Sequence, residues 1–338
     1  MYRIGLDVHE RTSSMCILDE HGNLVKELTI KGHPRCVVER LRALDEPFEI
    51  CFEASTNYGW LHDQLVGIAR RVLVAHPGRL RLIFRSSRKN DRIDARRLAK
   101  LLHLDEVPLV HVPPKERRDW RSLIELRTRR VSEQTRVKNR IRALLRTHGI
   151  ESPKSLWSKK GLFWLRELEL DDAVAIRRDL ELESLAHLGS VIRRLESRLA
   201  EIADREPGVA LLRTIPGVGI RTAEAFLAYV DDPKRFRAKS IGPYLGVVPR
   251  QDASADVNRL GRITKEGPPT VRKMLTEAVW QAKRRSPTIR AVSERIEGGR
   301  ADRKKKALIA TVHYLARVML AMLKTGEVWR ESPAARPA

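Results

Sequence analysis

Apolar and polar positions alternate at period two over Tyr2, Ile4, Leu6 and Val8, the mark of a half-buried strand. Residues 14–18 and 24–30 carry two more strands, and the Asp19-Glu20-His21-Gly22-Asn23 cluster between them predicts a turn. Three strands joined by short turns form an antiparallel meander. A helical stretch follows over 34–44, then a strand over 48–53, a helix over 59–70 and a strand over 71–75. His76-Pro77-Gly78 stops that last strand, and Asn90 begins a helix running to about residue 103. A meander followed by strands alternating with helices predicts a mixed α/β sheet.

Pro108, Pro113 and Pro114 mark a linker, after which the chain becomes long, charged and helical. Between 115 and 149 there are 12 Lys and Arg against 4 acids, while Val137, Ile141, Leu144 and Leu145 fall on one helix face. Leu185, Leu188, Ile192, Leu195, Leu199 and Ile202 repeat with alternating steps of three and four, a seam that requires a partner helix. An antiparallel pair with the earlier basic helix satisfies it as well as dimerisation does. Pro207-Gly208 breaks this helix. Ile215-Pro216-Gly217-Val218-Gly219 then leads into Thr222-Ala223-Glu224-Ala225, a Gly-x-Gly hairpin entering a helix. The amides at such a helix start suit a phosphate, although an ordinary tight turn has the same pattern. A basic run at 300–306 precedes the last apolar helix. The resulting division is 1–112, 113–206, 207–328 and a tail, 329–338, expected to be disordered.

Charge changes the picture most. The 338 residues carry 66 Lys and Arg against 43 Asp and Glu, a net +23, and the charge is clustered, so a polyanionic partner is expected, above all nucleic acid. Hydrophobic residues at 42% exclude a wholly disordered chain. Cys16, Cys36 and Cys51 have neither CxxC spacing nor an even count, which argues against a disulfide framework and a zinc ribbon and for a reducing, cytoplasmic setting. His313 and Arg317 interrupt the apolar segment 307–323, which reads as a buried helix of a soluble protein with no membrane partner.

Four acids invite a metal. Asp7 lies inside an apolar strand, Glu53 ends another, and Asp91 and Asp94 share one face at the start of a helix. Each has a structural alternative: a partnered strand residue, or an acid placed by the helix dipole. Together they make hard, oxygen-rich ligation of the kind Mg²⁺ or Mn²⁺ prefers, whereas the histidines lack ligand spacing for zinc. A divalent site in so basic a chain points to phosphodiester chemistry.

At these residues the sequence resembles a known family. Tyr2-Arg3-Ile4-Gly5-Leu6-Asp7-Val8-His9, the strand ending at Glu53, and Asn90-Asp91-Arg92-Ile93-Asp94-Ala95 resemble the DEDD transposases of the insertion sequence one-ten family, whose relatives include the Piv-type invertases. Ile215-Pro216-Gly217-Val218-Gly219, Tyr244-Leu245-Gly246-Val247-Val248-Pro249 and Gly261-Arg262-Ile263-Thr264-Lys265-Glu266-Gly267 extend the resemblance over about 1–325 in the family's order.

The resemblance implies a RuvC-like, ribonuclease-H-type N-terminal domain in which Asp7, Glu53, Asp91 and Asp94 hold Mg²⁺. It further implies a coiled-coil segment supporting dimers or tetramers, and a mainly helical C-terminal transposase domain with a helix-hairpin-helix-like element and a serine nucleophile. Donor and target DNA would be joined under the guidance of a structured bridge RNA. Counting between the two C-terminal motifs places the serine at Ser254, in Ala253-Ser254-Ala255 where the family often has Ser-Ser-Gly. Pro268-Pro269 stands where an Asn or Asp is common, so the following helix is expected to start differently. Ser254 of one subunit would attack a DNA phosphate at the carboxylates of another, leaving a 5′-phosphoserine link and a free 3′-hydroxyl. Arg129, Arg130, Arg136, Lys138 and Arg140, with Arg250, Arg259, Arg262 and Lys265, are the residues expected to hold phosphates. The rival readings are a Holliday-junction-resolvase-like metal nuclease that uses water, and a non-catalytic nucleic-acid-binding scaffold. A tyrosine recombinase is weaker, because none of the five tyrosines has an Arg/His setting.

Overall fold

The computed structural model describes residues 1–84, 90–254 and 257–331, without the side chains of 252–258. The chain divides into two compact units, Met1–Arg118 and Asp119–Ala338.

In the first unit, β1 (Tyr2–Val8), β2 (Thr12–Leu18) and β3 (Leu24–Lys31) form the expected meander. They are followed by α1 (Pro34–Arg42), β4 (Phe48–Glu53), α2 (Tyr58–Leu65), β5 (Arg71–Ala75), α3 (Pro77–Ile83) and α4 (Asp91–His103). The strand order is β3-β2-β1-β4-β5, with β1 antiparallel to β2 and parallel to β4, and β4 parallel to β5. This is the mixed sheet that the alternation predicts.

Strand periodicity sorts the side chains onto two faces. Ile4, Leu6, Ile50 and Phe52 pack with Val37 and Leu41 of α1 and Leu61 and Leu65 of α2. On the other face Cys16 and Leu18 meet Ala95 and Ala99 of α4, and Cys51 meets Leu98 and Leu102. Gly5 pairs with Cys16 on one side and Cys51 on the other, so a row of small residues runs beneath α4. Burial pushes the Cys16 thiol up to about 11 and the Cys51 thiol up to about 12, as fits small core residues rather than reactive ones.

Three local expectations are corrected. The helix expected over 59–70 ends at Leu65, whose carbonyl accepts from the amides of Ile68 and Ala69 in a turn that leads into β5. His76-Pro77-Gly78 not only stops β5 but starts α3: Pro77 sits in the first turn, where its missing N–H costs nothing, and His76 Nδ1 accepts from the Arg79 amide. The linker prolines begin with a segment that joins the sheet edge, since His76 N–H donates to Pro108 O and Val110 N–H to Val74 O.

The second unit is mainly helical: α5 (Lys115–Thr147), whose first turn belongs to the first unit, α6 (Lys159–Glu167), α7 (Asp172–Ala203), α8 (Pro207–Leu212), α9 (Ile220–Val230) and α10 (Ile241–Leu245). A hairpin of β6 (Pro249–Ser254) and β7 (Val257–Ile263) precedes α11 (Pro269–Arg285), α12 (Pro287–Glu297) and α13 (Lys304–Thr325). The seam of α7 has its partner within the chain. Leu182, Leu185 and Leu188 pack on Val137, Ile141 and Leu145 of α5, and the ion pairs Arg127–Glu196 (2.6 Å) and Arg140–Glu181 (2.5 Å) fix the two helices antiparallel. Pro207 ends one helix and begins the next from its first turn, as Pro269 does for α11.

Among the described residues one helix, within Ala301–Thr325, is long and apolar enough to cross a membrane. Val312, Leu315, Ala316, Met319 and Leu320 instead lie buried in one core with Phe226, Leu275 and Val279. The tail expected to be disordered from 329 is docked over its first three residues. The Trp329 amide donates to Thr214 Oγ1 (3.0 Å), while Glu331 Oε2 accepts from Ser286 Oγ (3.0 Å) and the Thr288 amide (3.1 Å) at the start of α12. Residues 332–338 lie outside the described residues.

Candidate active site

Asp7 is the next-to-last residue of β1 and Glu53 the last of β4. The parallel register pairs Leu6 with Phe52, so one step further Asp7 and Glu53 stand side by side at the carboxyl ends of neighbouring strands. That end of a parallel sheet is where α/β folds place ligands. Gly5 allows the third element to close over it. A β-carbon at Gly5 would stand 2.0 Å from the Ala95 carbonyl oxygen and 2.3 Å from the Ala99 nitrogen, so α4 lies directly on β1. Asn90 caps α4, its side chain accepting from the Arg92 amide at 3.0 Å, and Asp91 and Asp94 occupy the first turn above the strand ends.

Asp7, Glu53 and Asp94 line a cleft of about 490 Å³ with Ser55 and Arg81, and Asp91 lies beside Asp7 and His9. Burial, with repulsion from Asp91, Asp94 and Glu53, holds the Asp7 carboxyl above its ordinary range against the pull of His9. His9 Nε2 lies 3.4 Å from Asp7 Oδ2 and 3.8 Å from Asp91 Oδ2, and ligand atoms of these three residues all lie within 4.8 Å of one another. Arg97, one turn beyond Asp94, bonds its carboxylate at 3.1 Å and stacks 5.0 Å above the Phe84 ring. Neither His9 nor Arg97 is a site residue on sequence pattern. The available signals are the Asp-x-His spacing, which shares a strand face, and the Asp-x-x-Arg spacing, which shares a helix face. Crowded hard oxygen donors whose mutual repulsion disfavours ionisation fit a divalent cation.

Residues 4–150 match a transposase family, the DEDD transposases of IS110, and residues 209–294 match the transposase IS116/IS110/IS902 family. The chain belongs to the IS110 family of DEDD transposases. The putative transposase y4qE of Sinorhizobium fredii is 28% identical over 252 residues, 73% of this chain and 61% of that protein. The transposase for insertion sequence element IS1111A of Coxiella burnetii is 25% identical over 280 residues, 80% of this chain and 75% of its own. The transposase for insertion sequence element IS1328 of Yersinia enterocolitica is 25% identical over 277 residues, 81% of either chain. The chain thus spans under two thirds of the first relative's length and at least three quarters of the other two. A DEDD nuclease-like domain implies use of a divalent metal.

In the second unit, Ser254 ends β6 and pairs with Val257 across the hairpin; its side chain lies outside those described, as do residues 255–256. The hairpin is rooted by the two C-terminal motifs. Gly246 ends α10 with φ of 66°, and a β-carbon there would stand 2.1 Å from Glu266 O, so the strips Tyr244–Pro249 and Gly261–Gly267 can cross in contact. Thr264 N–H donates to Val248 O and Lys265 N–H to Gly246 O across that crossing. Arg250 on β6, Arg259 and Arg262 on β7, and Lys265 just beyond it are all exposed. On α5, Arg129 and Arg136 are exposed, whereas Arg130 pairs with Glu133, Arg140 with Glu181, and Lys138 lies over the Trp157 ring.

Proposed function

We propose that this transposase moves an insertion sequence by cutting and rejoining donor and target DNA at the cleft of Asp7, Glu53, Asp91 and Asp94. In this reading Ser254 is the nucleophile and a structured bridge RNA from the element is the guide. The observation that carries it is the grouping of carboxylates from two strands and a helix, Asp7, Glu53 and Asp94 lining one cleft and Asp91 beside Asp7, in a chain with net charge +23. Family membership and insertion-sequence relatives support the substrate, and the RuvC-like reading of the first unit agrees with its mixed sheet.

The four carboxylates would hold Mg²⁺, with Mn²⁺ as a substitute, and the ion when bound would supply stabilisation of charge on the phosphoryl oxygens. The chain's own residues do the rest. Ser254 Oγ forms a bond to phosphorus as the bond from phosphorus to the 3′-oxygen breaks. The hydroxyl proton ends on that leaving oxygen, giving a 5′-phosphoserine and a free 3′-hydroxyl. Attack by a 3′-hydroxyl on the phosphoserine reverses the step, so strands rejoin without external energy. Arg81 and Arg97 on the cleft wall orient the phosphate. The turn between α8 and α9 and the exposed Arg129 and Arg136 grip backbone, while pairing with RNA carries sequence specificity. A homodimer or tetramer is the expected assembly.

The test is recombination of a donor and a target plasmid by the purified protein with the RNA that accompanies it. Ser254→Ala and Asp7→Asn should each abolish recombination, and the covalent protein–DNA adduct should be absent from Ser254→Ala. Cutting by Ser254→Ala would instead favour a nuclease that uses water.

A further inference from the structure

We propose that His9 is a ligand of the cation at this cleft, so that the site is a mixed imidazole–carboxylate centre rather than an all-oxygen one; the inference rests on the metal-site reading above. His9 Nε2 lies 3.4 Å from Asp7 Oδ2 and 3.8 Å from Asp91 Oδ2. Both distances exceed the span of about 2.7–3.2 Å of an N–H···O hydrogen bond. Atoms about 2.1 Å from one cation stand between about 3.0 and about 4.2 Å apart, and both distances fall inside that range.

The backbone holds the imidazole there. The His9 amide donates to Thr12 O at 3.0 Å, closing the four-residue turn between β1 and β2. The Gly32 amide, donating to Arg11 O at 2.8 Å, ties that turn to the end of β3. Asp7 and His9, two apart at a strand end, project to the same side, and Asp91 overhangs both from the first turn of α4. The chemical consequence is selectivity. Carboxylates alone suit Mg²⁺, Ca²⁺ and Mn²⁺, whereas an imidazole nitrogen adds affinity for transition metals over Mg²⁺.

The experiment uses the full chain, freed of nucleic acid at high salt and titrated with Mn²⁺ alone and with Mg²⁺ as competitor. Bound and free Mn²⁺ are separated by electron paramagnetic resonance. Pulsed spectra of the bound ion should show modulation from a directly coordinated nitrogen, and His9→Asn and His9→Gln should lose it. Both variants should bind Mn²⁺ at least about tenfold more weakly, the scale on which groups around a metal act, and Mg²⁺ within about threefold of wild type. Asp7→Asn should lose both ions. Unchanged Mn²⁺ affinity and nitrogen modulation in the His9 variants would overturn the proposal while leaving the carboxylate site standing. Wild-type Mn²⁺ binding in Asp7→Asn would overturn the carboxylate site itself, and His9 with it.

Discussion

Gly5 and Ala95 touch backbone to backbone: a single methyl group on Gly5 would sit 2.0 Å from the Ala95 carbonyl oxygen. The first turn of α4 carries two of the four carboxylates, so this contact sets the height of Asp91 and Asp94 above Asp7. Gly5→Ala must lift α4 off the sheet. It should cost about 1–3 kcal/mol or more, the scale of overpacking in a well-filled core. Urea unfolding should report the loss, and DNA cutting should fall although every carboxylate is retained.

Four carboxylates held together repel one another, and a divalent ion relieves the repulsion. Asp7→Asn should therefore raise the melting temperature of the metal-free protein while abolishing recombination. Mg²⁺ at about 100 times its dissociation constant should stabilise the wild type by about 2.7 kcal/mol and this variant hardly at all. Thermal scans with EDTA and with Mg²⁺ make the comparison. A larger metal-induced shift in Asp7→Asn than in wild type would contradict it.

Glu224, wholly buried in α9, is bonded by Arg221 Nη1 at 2.8 and 3.1 Å. Burial pushes its carboxyl up to about 7 against the pull of Arg221 and Arg127. A raised carboxyl makes the native state the better proton binder, so its stabilising effect is complete below the ordinary 4.5 and is lost as pH rises through about 7. Melting temperature should fall between about pH 5 and about pH 8, and Glu224→Gln should flatten that decline.

Arg129 and Arg136 are exposed on α5, whereas Arg140 is already bonded to Glu181 through two nitrogens, at 2.5 and 2.7 Å. Replacing Arg129 or Arg136 by Ala should reduce the slope of log affinity against log salt by about 0.9 for each duplex phosphate that is no longer neutralised. Arg140→Ala should change that slope less and loosen the α5–α7 pair instead. Fluorescence titrations of labelled DNA over a salt series distinguish the two outcomes.

The strands were legible because one face of each is buried, and burial on one face imposes period two; β4 falls on the expected 48–53. Asp7 and Glu53 stood out as charges in apolar strands, and Asn90 announced the helix that carries Asp91 and Asp94. α3 was hidden because Pro77, which stops a strand, also opens a helix, and α6 went unread although α1 and α2, no longer than it, were legible. The α7 seam was legible but its partner was not, because an apolar stripe records only that something must cover it. Charges across the pair, Arg127 to Glu196 and Arg140 to Glu181, decide it and become visible only in three dimensions. His9 and Arg97 carry only the short spacings to Asp7 and Asp94 as a signal; what folding adds is Asp91 beside His9.

The docked residues 329–331 act as a clasp across the helical unit. Cleavage or fusion upstream of Glu331 removes its bonds to the Ser286 hydroxyl and the Thr288 amide at the start of α12 and, upstream of Trp329, the bond to Thr214 before α9. Tags and reporter proteins for following this enzyme in cells therefore belong after Glu331, where the fastening is already complete.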